Sequence, residues 1–355
     1  MIRALPTPVI YLPWLFAALV LLPGAPLEAD SLGHDIALVI HGGAGTIRKS
    51  DLSPDEESAY RAELKDALMK GYLILKAGGS SLDAVEAAVQ LLEDSPLFNA
   101  GKGAVFTAEG KNELDASIMD GSTLMAGAVA GVTTIRNPVR AARAVMEQTN
   151  HVMLVGEGAE VFAASVGLEI VDPSYFYTQR RWESLERIRE QQQVLFDPPN
   201  RASGSADRSP CSDCGHGTVG ALALDQMGHL AAATSTGGLT NKRYGRIGDS
   251  PIIGAGTYAN SFCAVSATGQ GEYFIRYTVA RDICARAEYL KISVAEAAET
   301  VIHQVLPEIE GGTGGVITLD AEGNVSMPFN TAGMYRGRIS ADGRPVIAIY
   351  GDSNP

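Results

Sequence analysis

The amino-acid sequence predicts an α/β (α+β) protein in which β-sheets face each other and helices cover their outer faces. Strand and helix patterns alternate from residue 36 to about residue 170, whereas β-hairpins dominate the chain after Thr218. The 355 residues are 46% hydrophobic, which is enough to bury a large layered core. We therefore expect one compact domain interrupted by a linker, rather than two independent domains.

The first strand and the helices after it have clear sequence signals. Residues 36–45, IALVIHGGAG, form an apolar run that ends in glycines, which predicts a central strand buried on both faces and followed by a tight turn. Ser53 and Glu56 form a capping box at the start of the next helix, and the glycine pair at 78–79 ends it. A second helix is predicted from about Ser80.

The predicted secondary structure differs before and after a linker in the middle of the chain. A charged stretch with a helical composition follows Tyr175 and leads into a linker at about 194–217, which is rich in proline, serine and glycine. Beyond the linker, TVGALALD and HLAAATST predict one hairpin, and GGVITLD and NVSMPF predict a second. Helices are expected between the two hairpins, near 271–290 and 293–305.

The first 29 residues have the composition of a secretory signal peptide. Arg3 precedes the apolar run VIYLPWLFAALVLL, and small residues suited to signal peptidase follow near Ala25 and Ala29. A membrane anchor is the alternative, but the run contains Pro13 and is shorter than the roughly 20 residues needed to span a bilayer. We expect the signal to be removed and the protein to be periplasmic or secreted.

The charge of the chain excludes some partners. There are 41 acidic and 28 basic side chains, which gives a net charge of −13. This charge disfavours nucleic acid and anionic membrane surfaces. We expect a small-molecule or dipeptide substrate, with no nucleic-acid partner and no membrane partner after signal removal.

The cysteines do not form a recognisable metal site. Cys211 and Cys214 make a CxxC pair in the linker, a pattern used for zinc, redox exchange or a local disulfide. Cys263 and Cys284 lack the spacing of a second zinc-ligand pair. We expect a linker disulfide or inert thiols at the CxxC pair, and a fold that is not a disulfide scaffold, although export permits disulfides.

Threonine hydroxyls are the candidate reactive groups. The sequence contains no GxSxG elbow and no GxxxxGK[ST] phosphate loop. Thr218 stands where the linker meets a strand, but a threonine hydroxyl is a poor nucleophile without a base beside it. An α-amino group, which titrates at about 7.7 to 8.0, is such a base if Thr218 is a chain terminus. Two interpretations remain open: cleavage between Gly217 and Thr218, or a linker that simply ends where a strand begins.

Seven motifs extend over about residues 36–340, in this order: HGGAG, LFNAGKGAVF, ELDASIMDG, HGTVGALALD, TSTGGLTNKRYGRIGDSPIIGAGTYA, ATGQGE and NTAGMYRG. Together they resemble the plant-type L-asparaginase and isoaspartyl peptidase family of N-terminal-nucleophile (Ntn) hydrolases. The resemblance implies a four-layer αββα Ntn-hydrolase sandwich and an amidohydrolase. It also implies that the enzyme removes β-aspartyl groups from isoaspartyl peptides and from asparagine.

The resemblance also implies residue roles. Thr218 is implied to be the catalytic nucleophile, exposed by autocleavage after Gly217. Thr236, the second threonine of TSTGG, is implied to assist it through its hydroxyl. Thr268 and the backbone amide of Gly269 are implied to form the oxyanion hole and to contact substrate.

Further positions that match the family's motifs are implied to bind substrate and a cation. Arg246 is implied to hold the substrate α-carboxylate and Asp249 the α-ammonium, which agrees with the donors and acceptors these side chains offer. Asn99 is implied to support the nucleophile. No organic cofactor is implied, but a structural sodium ion is, bound by the backbone carbonyls of Leu92, Glu93, Ser95, Phe98, Ala100 and Lys102.

The implied organisation is a signal peptide at 1–29, an α subunit at 30–217 and a β subunit at 218–355. Both subunits belong to one folded domain, and the family implies a pair of two-chain units, (αβ)2. Two other functions stay open. Glycosylasparaginases use a similar nucleophile but typically have Asp before the threonine, so Gly217 disfavours them, and a non-enzymatic binding protein would keep the chain uncleaved.

Ordinary structural roles are the alternative for each site residue. Arg246 and Asp249 are three residues apart and could form a surface ion pair with each other. Asn99 could brace a turn, and Thr236 and Thr268 could be ordinary strand residues. For His41 and His216 structural roles are favoured, because the chemistry does not need histidine as the base.

Overall fold

The computed structural model describes Met1 and residues 34–196, 217–308 and 311–351, with only the helical backbone described for 192–196. The signal peptide predicted at 1–29, apart from Met1, lies outside the described residues. So do Cys211, Cys214 and His216 of the linker.

The described residues form eight α-helices and twelve strands, named here in chain order. Helices α1 to α8 are Pro54–Lys76, Ser81–Asp94, Pro138–Gln148, Gly156–Ser165, Gln179–Phe196, Gly271–Tyr277, Val279–Leu290 and Val294–Thr300. Strands β1 to β12 are Ala37–Gly45, Leu114–Asp120, Ala126–Val132, Met153–Val155, Val219–Leu224, Leu230–Thr236, Thr257–Ala259, Cys263–Gly269, Gly314–Asp320, Val325–Ser326, Gly333–Ser340 and Val346–Tyr350.

The strands are arranged in two sheets. The larger sheet has the order β12-β11-β1-β5-β6-β2-β3-β4, and the smaller has the order β10-β9-β8-β7. Neighbouring strands pair antiparallel, except β3 with β4. The predicted central position of β1 and both predicted hairpins, β5–β6 and β9–β10, are confirmed.

Three hydrophobic clusters separate four layers. The first lies between the large sheet and helices that include α1, α2 and α3, the second between the small sheet and α7 and α8, and the third between the two sheets. Strand β1 contributes to two clusters because its side chains alternate: Leu38 and Ile40 face the helices, whereas Ala37 and Val39 face the other sheet. The predicted αββα sandwich is confirmed.

Local sequence signals placed most elements correctly. Ser53 and Glu56 form the predicted capping box of α1, and Ser80 caps α2. Three boundaries differ from prediction. Strand β1 continues through its glycines to Gly45 with an irregular register after His41, so the tight turn predicted at those glycines was wrong.

The other two differences concern helix boundaries in the second half of the chain. The helix predicted near 271–290 is two helices, because Thr278 adopts the left-handed conformation with φ 47° and breaks the hydrogen-bond ladder. The helix predicted at 293–305 is α-helical only to Thr300 and continues as a π-helical turn over Val301–Val305.

A disulfide joins Cys263 at the start of β8 to Cys284 in α7. Both cysteines are fully buried, so the bond fixes a covering helix to the small sheet within the second hydrophobic cluster. No helix in the described part of the chain is long and apolar enough to cross a membrane.

Candidate active site

Thr218 immediately precedes β5 and lies beside the end of β6. Val219 pairs with Ser235, so the same register brings Thr218 next to Thr236. Their hydroxyl oxygens, Oγ1 to Oγ1, are 3.0 Å apart. The Gly238 backbone N–H donates to Thr236 Oγ1 at 3.0 Å, which fixes the position of this hydroxyl.

Gly217, which forms the peptide bond to Thr218, is buried and tightly enclosed. The backbone N–H of Asn99 donates to the Gly217 carbonyl oxygen at 3.0 Å. A side chain at Gly43 would overlap Gly217, because a Cβ there would lie 2.3 Å from the Gly217 Cα, and Gly43 also has φ +107°. The glycines of HGGAG therefore allow the chain before Thr218 to pass against β1.

Asn99 fixes the chain around this bond from a fully buried position. Its side-chain Nδ2 donates to the Gly238 carbonyl at 2.8 Å, and its Oδ1 accepts from the Val105 N–H at 3.0 Å. Its backbone carbonyl accepts from the Gly237 N–H at 3.0 Å. Asn99 thus connects the residue before Thr218 to the loop after Thr236.

His41 contacts Thr218 directly from β1. Its Nδ1 lies 3.0 Å from the Thr218 carbonyl oxygen, and its Nε2 lies 2.9 Å from Ser266 Oγ on β8. Burial lowers the pKa of His41 to about 3, against a smaller opposing contribution from its hydrogen bond to Thr218. The imidazole is therefore neutral at ordinary pH.

A neutral His41 sets the direction of a chain of buried hydroxyls. The Thr218 carbonyl can only accept a hydrogen bond, so His41 Nδ1 carries the ring proton and donates to it. His41 Nε2 is then unprotonated and accepts a hydrogen bond from the Ser266 hydroxyl. Ser266 Oγ then accepts from Thr234 Oγ1 at 2.7 Å, and Thr234 accepts from Thr257 Oγ1 at 2.6 Å.

The far end of this hydroxyl chain lies near the second half of the site. Ser117 Oγ is 2.8 Å from Thr257 Oγ1 and donates to the Ser250 carbonyl at 2.6 Å. Ser250 follows Asp249, so the hydroxyl chain extends across the interface between the sheets, from Thr218 to the residue after Asp249. A buried network whose hydroxyls are all hydrogen-bonded makes the core rigid and favours a single packing of the two sheets.

Thr268 and Gly269 lie at the end of β8, within reach of the same site. Thr268 Oγ1 accepts from the Ala44 N–H at 3.2 Å, which leaves its own proton to be donated elsewhere. Gly269 lines a small cavity together with Thr218, Thr236, Arg246 and Asp249. The structure thus brings together five of the predicted site residues around one cavity, with Thr268 and Asn99 next to them.

Arg246 and Asp249 do not form the ion pair with each other that was the structural alternative. Arg246 Nε and Nη2 donate to Glu272 Oε1 and Oε2 at 2.9 and 3.0 Å. A Cβ at Gly248 would lie 2.8 Å from Arg246 Nη1, and one at Gly238 would lie 3.5 Å from it. Arg246 and both glycines line the same cavity.

Asp249 is buried, with 5% of its surface exposed, and its Oδ2 has no hydrogen-bond partner among the described residues. Burial raises the pKa of Asp249 to about 7, although its own backbone N–H and the Arg246 guanidinium favour the charged form. An unpartnered buried carboxylate that lines a cavity is well suited to bind a cationic group.

Two more carboxyl groups lie behind the threonines. Glu93 Oε1 accepts from Ser235 Oγ at 2.6 Å, and burial raises the pKa of Glu93 to about 8. Asp115 pairs with Thr236 across β2 and β6, and burial likewise raises its pKa. With its pKa near 8, Glu93 is mostly protonated at neutral pH, so it adds little negative charge to the core beside Ser235.

The loop predicted to bind sodium brings carbonyl oxygens close to glycines. A Cβ at Gly101 would lie 2.2 Å from the Glu93 carbonyl oxygen, and one at Gly103 would lie 2.0 Å from the Phe98 carbonyl oxygen. Only glycine permits these two close approaches. The carbonyls of Glu93 and Phe98, two of the six predicted ligands, are neutral oxygen donors of the kind that suits a hard cation.

Some residues of this site were not predicted as functional from the sequence. His41 was assigned a structural role, and Thr234 and Ser266 were not singled out. The signal available was a polar residue inside an otherwise apolar strand, as in IALVIH and CAVSATG. That signal indicates a bonded group but does not identify its partner.

The fold and the threonine at the start of a central strand are those of the N-terminal-nucleophile hydrolases. Residues 34–349 match the family model described as asparaginase. The chain belongs to the asparaginase family.

Curated relatives are similar over most of their length. The chain is 51% identical to the isoaspartyl peptidase of Escherichia coli over 314 residues, covering 88% of this chain and 95% of that protein. It is 50% identical to the isoaspartyl peptidase of Salmonella typhimurium, covering 88% and 98%. It is 42% identical to the plant-type L-asparaginase of Pyrococcus furiosus over 300 residues, covering 84% and 94%.

The protonation state of His41 can be tested by NMR. We expect the imidazole signal of His41 to stay unchanged between pH 5 and 8, because burial holds its pKa at about 3. Spectra of protein labelled at histidine Cε1 measure this, and the unchanging signal should be absent from the His41→Gln variant. A His41 signal that titrates near pH 6.5 would contradict the described hydroxyl chain.

Proposed function

We propose that this protein is an exported isoaspartyl peptidase and L-asparaginase that matures by autocleavage between Gly217 and Thr218. The observation that carries the proposal is the position of the Thr218 hydroxyl. It lies 3.0 Å from Thr236 and lines the cavity to which Arg246 and Asp249 also contribute. The names of the relatives support the same substrates.

The proposed maturation step is an acyl shift followed by hydrolysis. Thr218 Oγ1 attacks the Gly217 carbonyl carbon, the bond to the Thr218 nitrogen breaks, and the nitrogen takes up the hydroxyl proton. Water then cleaves the resulting ester, releasing a Gly217 carboxylate and a Thr218 amino terminus. The Asn99 N–H, already bonded to the Gly217 carbonyl, is placed to stabilise the oxyanion.

The proposed hydrolysis uses the new amino terminus as a base. The α-amine accepts the Thr218 hydroxyl proton, with Thr236 assisting, as Thr218 Oγ1 attacks the substrate β-carbonyl. The Thr268 hydroxyl and the Gly269 N–H stabilise the oxyanion. The leaving amine takes the proton, and water cleaves the β-aspartyl ester to release aspartate.

The proposed substrate clamp reads both α-groups of the aspartyl residue. Arg246 lines the cavity and suits the α-carboxylate, while the unpartnered Asp249 Oδ2 suits the α-ammonium. Glu272 holds the guanidinium through Nε and Nη2, which sets its orientation. The clamp thereby fixes the substrate α-carbon relative to the Thr218 hydroxyl, and with it the position of the carbonyl that Thr218 attacks.

The other proposals concern the whole chain. The signal-like composition of residues 1–29 and the buried Cys263–Cys284 disulfide support a periplasmic or secreted protein, because disulfides persist in oxidising compartments. The mature protein is proposed to be an (αβ)2 assembly of residues 30–217 and 218–355. A structural sodium ion is proposed at the carbonyls of Leu92, Glu93, Ser95, Phe98, Ala100 and Lys102.

The role of Thr218 is tested by removing its hydroxyl. We expect Thr218→Ala to remain a single chain and to hydrolyse neither asparagine nor isoaspartyl dipeptides, because one hydroxyl serves both reactions. Denaturing gels and intact mass measure cleavage, and ammonia or amino-acid release measures turnover. Thr123→Ala, which removes an exposed hydroxyl bonded to Asp120, is the control and should behave as the wild type. Two fragments from Thr218→Ala would refute the assignment.

The role of Asp249 is tested by the pH dependence of kcat/KM. Two groups must be deprotonated for productive capture of substrate, the Thr218 α-amine and Asp249, whose pKa is about 7. We expect log kcat/KM for asparagine to fall toward low pH with a slope approaching about 2, and with a slope of about 1 in Asp249→Asn, where only the amine titrates. Initial rates from pH 5 to 9 measure both slopes. Equal slopes in the two proteins would contradict the proposed clamp.

A further inference from the structure

The proposed cleavage changes how Thr218 is held. In the uncleaved chain this residue is fixed on both sides, because Val219 begins β5 after it, and the Asn99 N–H binds the Gly217 carbonyl oxygen at 3.0 Å before it. Cleavage removes the covalent bond to Gly217. The mature nucleophile is then the end residue of its chain, and such residues are poorly ordered unless other contacts hold them.

Two hydrogen bonds of Thr218 to described residues do not depend on Gly217. Its hydroxyl oxygen lies 3.0 Å from Thr236 Oγ1, and its carbonyl oxygen lies 3.0 Å from His41 Nδ1. The first contact positions the side chain. The second positions the backbone, because a peptide group is planar and its carbonyl oxygen, nitrogen and two flanking Cα atoms move together. With Val219 held in β5, the contact to His41 therefore fixes the Cα of Thr218.

His41 is itself held in place by the strands around it. It is fully buried, and its Nε2 lies 2.9 Å from Ser266 Oγ on β8. Gly220 of β5 pairs with His41, and a Cβ at Gly220 would overlap both the Ser266 hydroxyl and the imidazole ring. The glycine therefore leaves the space that the ring and the hydroxyl fill. Because burial lowers the pKa of His41 to about 3, the ring stays neutral and its Nδ1–H donor persists at ordinary pH.

We propose that His41 is a positioning residue for the mature nucleophile: its Nδ1–H holds the Thr218 carbonyl and thereby keeps the Thr218 hydroxyl and α-amine where attack on the substrate requires them. This inference rests on the proposed function and adds a residue to it. The described lining of the cavity that contains Arg246 and Asp249 does not include His41. Loss of the His41 contact should therefore slow turnover without weakening substrate binding.

Two variants of His41 separate the two nitrogens of its ring. Asparagine carries its amide nitrogen on Cγ, as histidine carries Nδ1, whereas the amide of glutamine reaches one bond further, to the distance of Nε2. His41→Asn therefore keeps a donor for the Thr218 carbonyl and loses the contact with Ser266, and His41→Gln does the reverse. Val39→Ala, which truncates another buried side chain on the same face of β1, is the matched control.

Each protein is assayed with asparagine after intact mass has measured the fraction of chains that begin at Thr218. We expect kcat per cleaved chain in His41→Gln to fall about tenfold to a hundredfold with KM unchanged, because misplacing a reacting group by about 1 Å costs up to about a hundredfold. His41→Asn should recover most of this loss. Val39→Ala should lower the thermal stability, as a core cavity does, and leave kcat unchanged.

The tautomer of His41 in the mature wild-type enzyme provides a test that needs no variant. The chemical shifts of the ring nitrogens, measured by NMR, should place the proton on Nδ1 after cleavage as before it. A proton on Nε2 in the mature enzyme would overturn the proposal, because Nδ1 could not then donate to the Thr218 carbonyl.

The outcomes separate this inference from the function beneath it. If the wild type stays uncleaved or does not hydrolyse asparagine, the proposed function fails. If the wild type is active and His41→Gln matches its kcat, or if His41→Asn and His41→Gln lose kcat equally, the positioning role is wrong. A His41→Gln protein that folds but does not cleave would also overturn it, because Gly217 still fixes Thr218 in the uncleaved chain.

Discussion

The antiparallel register of β5 between β1 and β6 is the constraint on which the rest of the site depends. Gly220 pairs with His41 on one side, and Val219 pairs with Ser235 on the other. Thr218 is thereby placed beside Thr236, with its carbonyl at the His41 ring. Because side chains alternate along a strand, a slip of β5 by one residue would turn its side chains to the opposite face of the sheet and separate Thr218 from Thr236 and His41.

The two sheets are held in relation to each other by polar as well as apolar contacts at the site. The hydroxyl chain from His41 through Ser266 and Thr234 crosses between the sheets, where an unbonded hydroxyl would be costly. The apolar cluster between the sheets surrounds it with small side chains such as Ala232 and Ala264. Fixing both sheets also fixes Thr268, which β8 contributes from the smaller sheet.

The layered fold could be predicted from the sequence because its signals are local: capping residues, apolar periodicity and hairpin turns. The threonines and the Arg246–Asp249 spacing could be found through the resemblance, since each lies in a contiguous motif. The hydroxyl chain could not, because its members come from separate elements and are specified only by tertiary contact. The same holds for the Cys263–Cys284 disulfide, whose cysteines are 21 positions apart in a strand and a helix. The break at Thr278 had no glycine or proline to signal it.

The central claim is that the chain is cut before Thr218 and that the new terminus performs the chemistry. N-terminal sequencing and intact mass of the purified wild-type protein test this most directly. The account predicts two fragments, one of which begins TVGALALD with an unmodified α-amine. A single chain that carries Gly217 and Thr218 still joined, yet hydrolyses asparagine at full rate, would contradict it.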